Sequence, residues 1–323
     1  MRAGEFWIAG ALSAALAACA PPPAPLPASP MAAGDVIAIR AAPVLLNPDD
    51  PAQDRIGDFV YAGGIALSSD QTSRLHGLSD LVVRGDRLYS ITDEGDAFEA
   101  RIVLDAKGRL TGLDDGRLTV LTGLDGKPLQ GKALGDAEGL AVLPNGDRLV
   151  SFERQHRVWR YPADGSSPTA APMPDVAMGE NDGMEAITAD PEVAADAYAV
   201  GIENTGEVWA CRLSTNCVRL AAVEKPDEFG LVAMTKGPGD LRVTLLRAWD
   251  PVRGSRIFLR AKPPNAARSE ALLTRPLTAD NFEGAAAVPG PKGGVRIYMV
   301  SDDNFQSSQR TLLLAFDWKP AAK

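Results

Sequence analysis

Acidic side chains recur in this sequence at spacings that only a repeated fold would bring together. A short pattern returns five times: a small or acidic residue, often Glu-Gly, then an apolar run, a turn, a second apolar run and an acidic residue. The copies open at His76-Gly77-Leu78-Ser79-Asp80, Ala137-Glu138-Gly139, Gly183-Met184-Glu185, Phe229-Gly230-Leu231 and Phe282-Glu283-Gly284. They close at Asp93-Glu94, Glu153, Glu203, Asp250 and Asp302-Asp303. Glu138, Glu185 and Glu283 hold equivalent places, and three like charges drawn together cannot all stay ionised without a partner. Calcium answers that repulsion, because it accepts roughly six to eight oxygen ligands in flexible geometry. Further oxygen donors stand close by: Asn181 and Asp182 before Glu185, Asn281 before Glu283, Asn204 after Glu203, and Asp302 at the end of the fifth copy. The expected metal set is therefore Glu138, Glu185, Glu283, Asn181 and Asp302. Zinc fits worse, since the whole chain holds 2 His and 3 Cys. The alternative is that these acids cap strand ends around a water-filled channel and bind nothing.

The elements that must position these groups are strands. Each copy reads as an up-down strand pair with its carboxylates at the two ends, so radial stacking of the copies gathers acids near one axis: an all-β fold, a β-propeller. Ser79, Glu138, Glu185, Phe229 and Glu283 lie 59, 47, 44 and 54 residues apart, near the roughly 40–50 residues that a four-stranded blade needs. Two more strand-like runs follow each of the first four pairs, but only Thr311 to Trp318 follows the fifth. Phe59 to Leu67 is expected to supply the missing strand of the last blade and close the ring, which removes exposed edges. Five blades result; a sixth built partly from Val36 to Leu46 is the alternative. Turn sequences such as Arg84-Gly85-Asp86 and Pro144-Asn145-Gly146-Asp147 suit hairpins, and 31 Gly with 25 Pro leave little room for long helices.

Residues 1–18 read as a secretion signal, with Arg2 as a weakly basic start and an apolar core from Phe6 to Ala18 that is too short to span a bilayer. Leu16-Ala17-Ala18-Cys19 resembles the lipobox of bacterial lipoproteins, which makes Cys19 the lipidated residue; an ordinary cleavage that releases a soluble secreted protein is the alternative. The Pro/Ala-rich stretch 19–35 is a tether, and 36–323 is a single propeller domain. The expected location is the periplasmic side of the envelope, held to the membrane through the N-terminal lipid alone. A net charge of −9 repels phosphate backbones, which argues against nucleic acid. The protein is expected to be monomeric. Cys211 and Cys217 flank a turn on adjacent strands, where an oxidising compartment permits a cross-strand disulfide; two free thiols are the other reading.

Familiar catalytic signatures are missing from the sequence: there is no G-x-S-x-G elbow, zinc helix, P-loop or C-x-x-C. His76, before a glycine at a strand start, reads as structural, His156 reads as a solvated loop residue, and Ser79 is the one serine in a motif that would suit a nucleophile.

Several of these motifs together resemble the family called phytase-like, esterase-like activity of phytase: Gly77-Leu78-Ser79-Asp80-Leu81 with Leu88-Tyr89-Ser90-Ile91-Thr92-Asp93-Glu94-Gly95, Glu138-Gly139-Leu140-Ala141, Asn181-Asp182-Gly183-Met184-Glu185-Ala186, and Asn281-Phe282-Glu283-Gly284 with Ser301-Asp302-Asp303-Asn304-Phe305. The resemblance covers roughly Gly57 to Trp318 and departs at Phe229, which stands where the second, third and fifth copies carry Glu. It implies a hydrolase of small phosphate or carboxylate esters in which bound calcium polarises the ester and Glu153 or Glu203 activates water. Arg247, with Arg101 and Arg154, would then clamp an anionic substrate. A lactonase of the gluconolactonase kind is the neighbouring enzyme reading. A non-catalytic envelope platform working through a loop face such as Gly165 to Gly179 is the reading from another class.

Overall fold

Hairpin chemistry at the predicted turns folds the repeats into five antiparallel sheets, seen in a computed structural model that describes residues 35–180 and 182–319. The signal segment, Cys19, most of the tether and Asn181 lie outside the described residues. Blade one runs outward from Leu78–Arg84 through Arg87–Thr92 and Asp96–Leu104 to Leu110–Val120, and Asp35–Ile37 joins its outer edge. Blade two comprises Ala137–Val142, Arg148–Phe152, Arg157–Tyr161 and Thr169–Ala171; blade three comprises Ala186–Ala189, Ala197–Gly201, Val208–Arg212 and Thr215–Arg219. Blade four comprises Gly230–Gly237, Leu241–Asp250, Gly254–Lys262 and Ser269–Leu273. Blade five takes Asn281–Pro289, Val295–Asp302 and Leu312–Trp318 from the C-terminal part of the chain and Phe59–Ser68 from the N-terminal part.

Phe59–Ser68 pairs antiparallel with Leu312–Trp318, so the ring is closed by strands from opposite ends of the chain. Ile65 on that closing strand sits in an apolar layer with Leu78, Leu81 and Phe98 of blade one and with Tyr298, Val300 and Leu313 of blade five. Fully burying a side chain of this kind stabilises by roughly 1.5–3 kcal/mol. The alternative sixth blade is overturned: Asp35–Ile37 pairs with Leu110–Val120 of blade one and Arg40–Pro43 with Phe59–Ser68 of blade five, so this stretch thickens two outer edges. In blade three the outer hairpin turns between Arg212 and Thr215, and Cys211 and Cys217 are joined across it with an S–S distance of 2.02 Å.

The Glu-Gly signature has a packing cause. Innermost strands of adjacent blades approach so closely that a Cβ on Gly139 would lie 2.6 Å from the carbonyl oxygen of Glu185, and one on Gly284 would lie 2.6 Å from Cα of Asp80. Backbone cannot yield at that distance, so the residue after the acid must be glycine at these two seams. The buried Asp80 also ties blade one to blade two: its carboxylate accepts backbone N–H bonds from its neighbour Leu81 at 2.7 Å and from Leu140 of blade two at 2.9 Å.

Candidate metal and catalytic site

Where two strands run antiparallel, the start of one lies beside the end of the next, so the opening acid of each repeat and its closing acid meet at the same end of the ring. Asp93, Glu138, Glu153, Glu185, Glu203, Glu283 and Asp302 all line a single cavity of about 790 Å³ at that end. With Asp227, Glu228 and Asp280 the lining holds ten carboxylates against Lys132, Arg247, Arg275 and Arg310, an excess of negative charge that only bound cations or protons can offset.

Protons take up part of it. Burial, joined by the charges of Glu283 and Glu185, holds the Glu138 carboxyl far above its usual range, and burial with Glu203 does the same at Glu185. Burial also lifts Glu153 to about 7, with Asp136 and Glu203 adding to the effect. Glu283 rises by burial to about 7 although the Arg247 guanidinium opposes the shift. Asp302, buried near Glu283 and Asp93, rises to about 9.

The acids divide into two groups. On one side Asp136, Glu138 and Glu153 each offer an oxygen, the three lying within 4.8 Å of one another. Lys132 reaches Asp93 at 2.8 Å and Asp136 at 3.6 Å, while Arg154 holds Asp136 at 2.5 Å. On the other side Glu185, Glu203 and Glu283 surround the Arg247 guanidinium, which donates to Glu203 at 3.1 Å, lies 3.6 Å from Glu185, bonds Glu283 and also donates to Asn281 at 3.0 Å. Glu138, Glu185 and Glu283 all line the one cavity and Glu138 feels the charges of the other two, while an arginine from blade four stands among Glu185, Glu203 and Glu283. Three buried carboxylate oxygens of the lining have no hydrogen-bond partner among the described residues, Asp93 Oδ1, Glu185 Oε2 and Glu283 Oε2; Asp136 Oδ1, outside the lining and 3.6 Å from Lys132 Nζ, has none either. Unpartnered hard oxygens in an acidic pocket suit a hard divalent cation, so the donor set passes the chemical test for calcium.

Other expected residues fall elsewhere. Arg101 pairs with Asp114 and Asp115 at the outer part of blade one, and Arg154 is occupied by Asp136; neither lines the cavity. Ser79 is buried and donates to the Gly77 carbonyl at 3.3 Å. His76 is buried beneath the ring of Phe305 at 3.8 Å, and His156 Nε2 lies 2.7 Å from the Gly179 carbonyl.

Blade four departs furthest from the pattern. Gly139 pairs with Ser151 in blade two, and Gly230 pairs with Arg247 in blade four. These pairs sit on opposite sides of a β-bulge, which falls at Glu138 in blade two and at Val232 in blade four, so Val232, not Phe229, stands where Glu138 does and Arg247 stands where Glu153 does. Asp250, expected as the closing acid of the fourth repeat, lies beyond that position, which Arg247 holds, and instead accepts the backbone N–H groups of Val252 and Arg253 in the turn. Gly230 is small because a Cβ there would lie 2.5 Å from Glu203 Oε1, in the space through which Glu203 approaches Arg247.

Sequence reasoning missed Asp136 and Lys132. Asp136 and Glu138 are two residues apart at a strand start, a spacing that puts both on one face, and Lys132 belongs to the one α-helix among the described residues, Lys132–Gly135, which leads into that strand.

Solved structures resemble the fold at low identity. Virginiamycin B lyase from Staphylococcus aureus is 10% identical and has a TM-score of 0.46, over 87% of this chain and 100% of that one. The allergen Mala s 1 of Malassezia sympodialis is 15% identical at 0.45, over 84% and 93%. A putative gluconolactonase is 13% identical at 0.43, over 88% and 94%. No curated protein matches the sequence. The sequence model of the phytase-like family, described as esterase-like activity of phytase, matches residues 73–305, a span that takes in all seven repeat carboxylates of the cavity. The chain therefore belongs to the phytase-like family.

Proposed function

We propose that this protein is a calcium-dependent hydrolase of small phosphate or carboxylate esters. The observation that carries the reading is the trio Asp136, Glu138 and Glu153, whose oxygens lie within 4.8 Å of one another at an acidic cavity lined by further buried, unpartnered carboxylate oxygens. Asp136, Glu138 and one oxygen of Glu153 would hold the ion, which when bound supplies Lewis-acid polarisation of the ester. The remaining oxygen of Glu153 takes the proton of the attacking water. Glu203 is the weaker candidate for this role, because Arg247 already engages its carboxylate.

Arg247 orients Glu185, Glu203 and Glu283, and its donors are spent on them. An anionic substrate group has Arg275 instead, which lines the cavity and forms no ion pair among the described residues. Delivery to the periplasmic side of the envelope, with Cys19 as lipid anchor, is part of the same proposal; the lipobox-like Leu16-Ala17-Ala18-Cys19 and the Cys211–Cys217 disulfide support an oxidising compartment. The test is calcium calorimetry on the purified protein together with turnover of phosphate and carboxylate esters with and without chelator. Ester turnover that chelation leaves unchanged overturns the mechanism.

A further inference from the structure

The acidic cavity has one aromatic wall, and all of it comes from blade four. Phe229 and Trp249 supply its rings, beside Arg247, which by register stands where blade two has Glu153, with Val232 where it has Glu138. The two rings differ in environment. Phe229 is 4% exposed and packs against Phe258 at 4.8 Å, whereas Trp249 lines the cavity and is 65% exposed.

An indole in that position is normally a hydrophobic liability, yet the backbone that carries it is braced. Trp249 lies in strand register opposite Ser255, and the turn just beyond it is tied down by Asp250, which accepts two backbone N–H groups and the Arg253 side chain at 2.6 Å. Arg253 and Arg256 both continue to Glu228, at 2.8 and 2.6 Å, which ties the turn to the segment before Phe229. An exposed indole on a braced strand end beside a charged floor resembles half of a ligand site: the ring has only two side-chain torsions to order and offers a face for stacking.

We infer that blade four forms an apolar subsite in which Trp249 stacks on an aryl group of the substrate, so that the preferred esters are aryl esters. The inference rests on the hydrolase reading and narrows its substrate class. Trp249 is a specificity-determining residue here; the proton chemistry stays with the carboxylates.

A neutral, non-hydrolysable pair of probes tests the subsite without calcium or turnover. Benzyl methyl ketone replaces the ester oxygen of phenyl acetate by a methylene, and 2-butanone does the same for methyl acetate. Their dissociation constants are read from the indole N–H resonance of Trp249, assigned by its loss in Trp249→Phe, and from calorimetry for the variants. The aryl ketone is expected to bind about three- to tenfold more tightly than butanone, the range that one aromatic pair supplies. Trp249→Ala should abolish that preference and Trp249→Phe should retain most of it. In parallel, Trp249→Ala should lower the ratio of kcat/KM for phenyl acetate to that for methyl acetate by a similar factor, chiefly through KM. A preference that survives Trp249→Ala, or no preference in the unmodified protein, overturns the subsite. Trp249-dependent ketone binding without ester turnover would instead leave the subsite standing and remove the hydrolase reading; ester turnover with an unmoved ratio would do the reverse.

Discussion

Arg247 of blade four donates to Glu203 of blade three across 3.1 Å, in the centre of the ring where the sequence pattern alone would leave only repelling acids. The same guanidinium serves Glu185 and Glu283, so one side chain joins three blades. Removing one partner of a buried ion network leaves charge uncompensated and typically costs about 3–5 kcal/mol. Arg247→Met is expected to lower stability by about that amount at neutral pH, and by less in acid, where the three carboxyls protonate. Urea unfolding at two pH values measures it, and an unchanged midpoint at neutral pH would show that the arginine is not what holds these acids together.

Raised carboxyl pKa values set the pH dependence of the metal-free protein. A carboxyl that titrates higher folded than unfolded contributes stability that is fully present below its unfolded value, about 4, and that disappears as pH rises through the folded value. Glu153 and Glu283 near 7 and Asp302 near 9 therefore predict a melting temperature that falls from mildly acid to alkaline pH in chelator. Calcium competes with those protons, so its stabilising increment should grow over the same interval. A metal-free melting temperature that climbs between these values would contradict the assignment.

Glu153 is expected to matter to rate far more than to folding. Replacing a general base typically costs about 10²–10⁴-fold in turnover, so Glu153→Gln should lose activity on that scale while its melting temperature at pH 8 rises, because a buried charge has gone. Steady-state kinetics and calorimetry on the same preparation decide this, and a variant within threefold of the parent in kcat would exclude the role.

Gly284 predicts a packing failure. A methyl group there would stand 2.6 Å from Asp80 Cα and 2.9 Å from the Leu81 nitrogen, both backbone atoms of the neighbouring blade. Gly284→Ala should destabilise by about 1–3 kcal/mol through overpacking, whereas Gly85→Ala, at a turn with nothing within 4 Å of the added carbon, tests only the cost of its positive φ. Denaturation midpoints of the two variants compare seam against turn, and equal losses would mean that the close approach is not what selects glycine in the Glu-Gly signature.

The five-fold repeat, the strand pairs and the convergence of Glu138, Glu185 and Glu283 on one cavity were legible because they depend on local rules: two-residue periodicity, hairpin turns, and an acid beside the glycine that lets adjacent blades touch. The closing strand at Phe59–Ser68 was legible too, from a strand missing in the fifth copy. Chain order could not reveal which acids become neighbours. Grouping Asp136 with Glu138 and Glu153, and exchanging the acid pair of blade four for Val232 and Arg247, which seats an arginine among the other three acids, depend on register within blades two and four and on where ring closure points each strand end. Those distances are fixed only when five sheets pack against one another, since side chains some 50 residues apart in sequence have no relation until the axis exists.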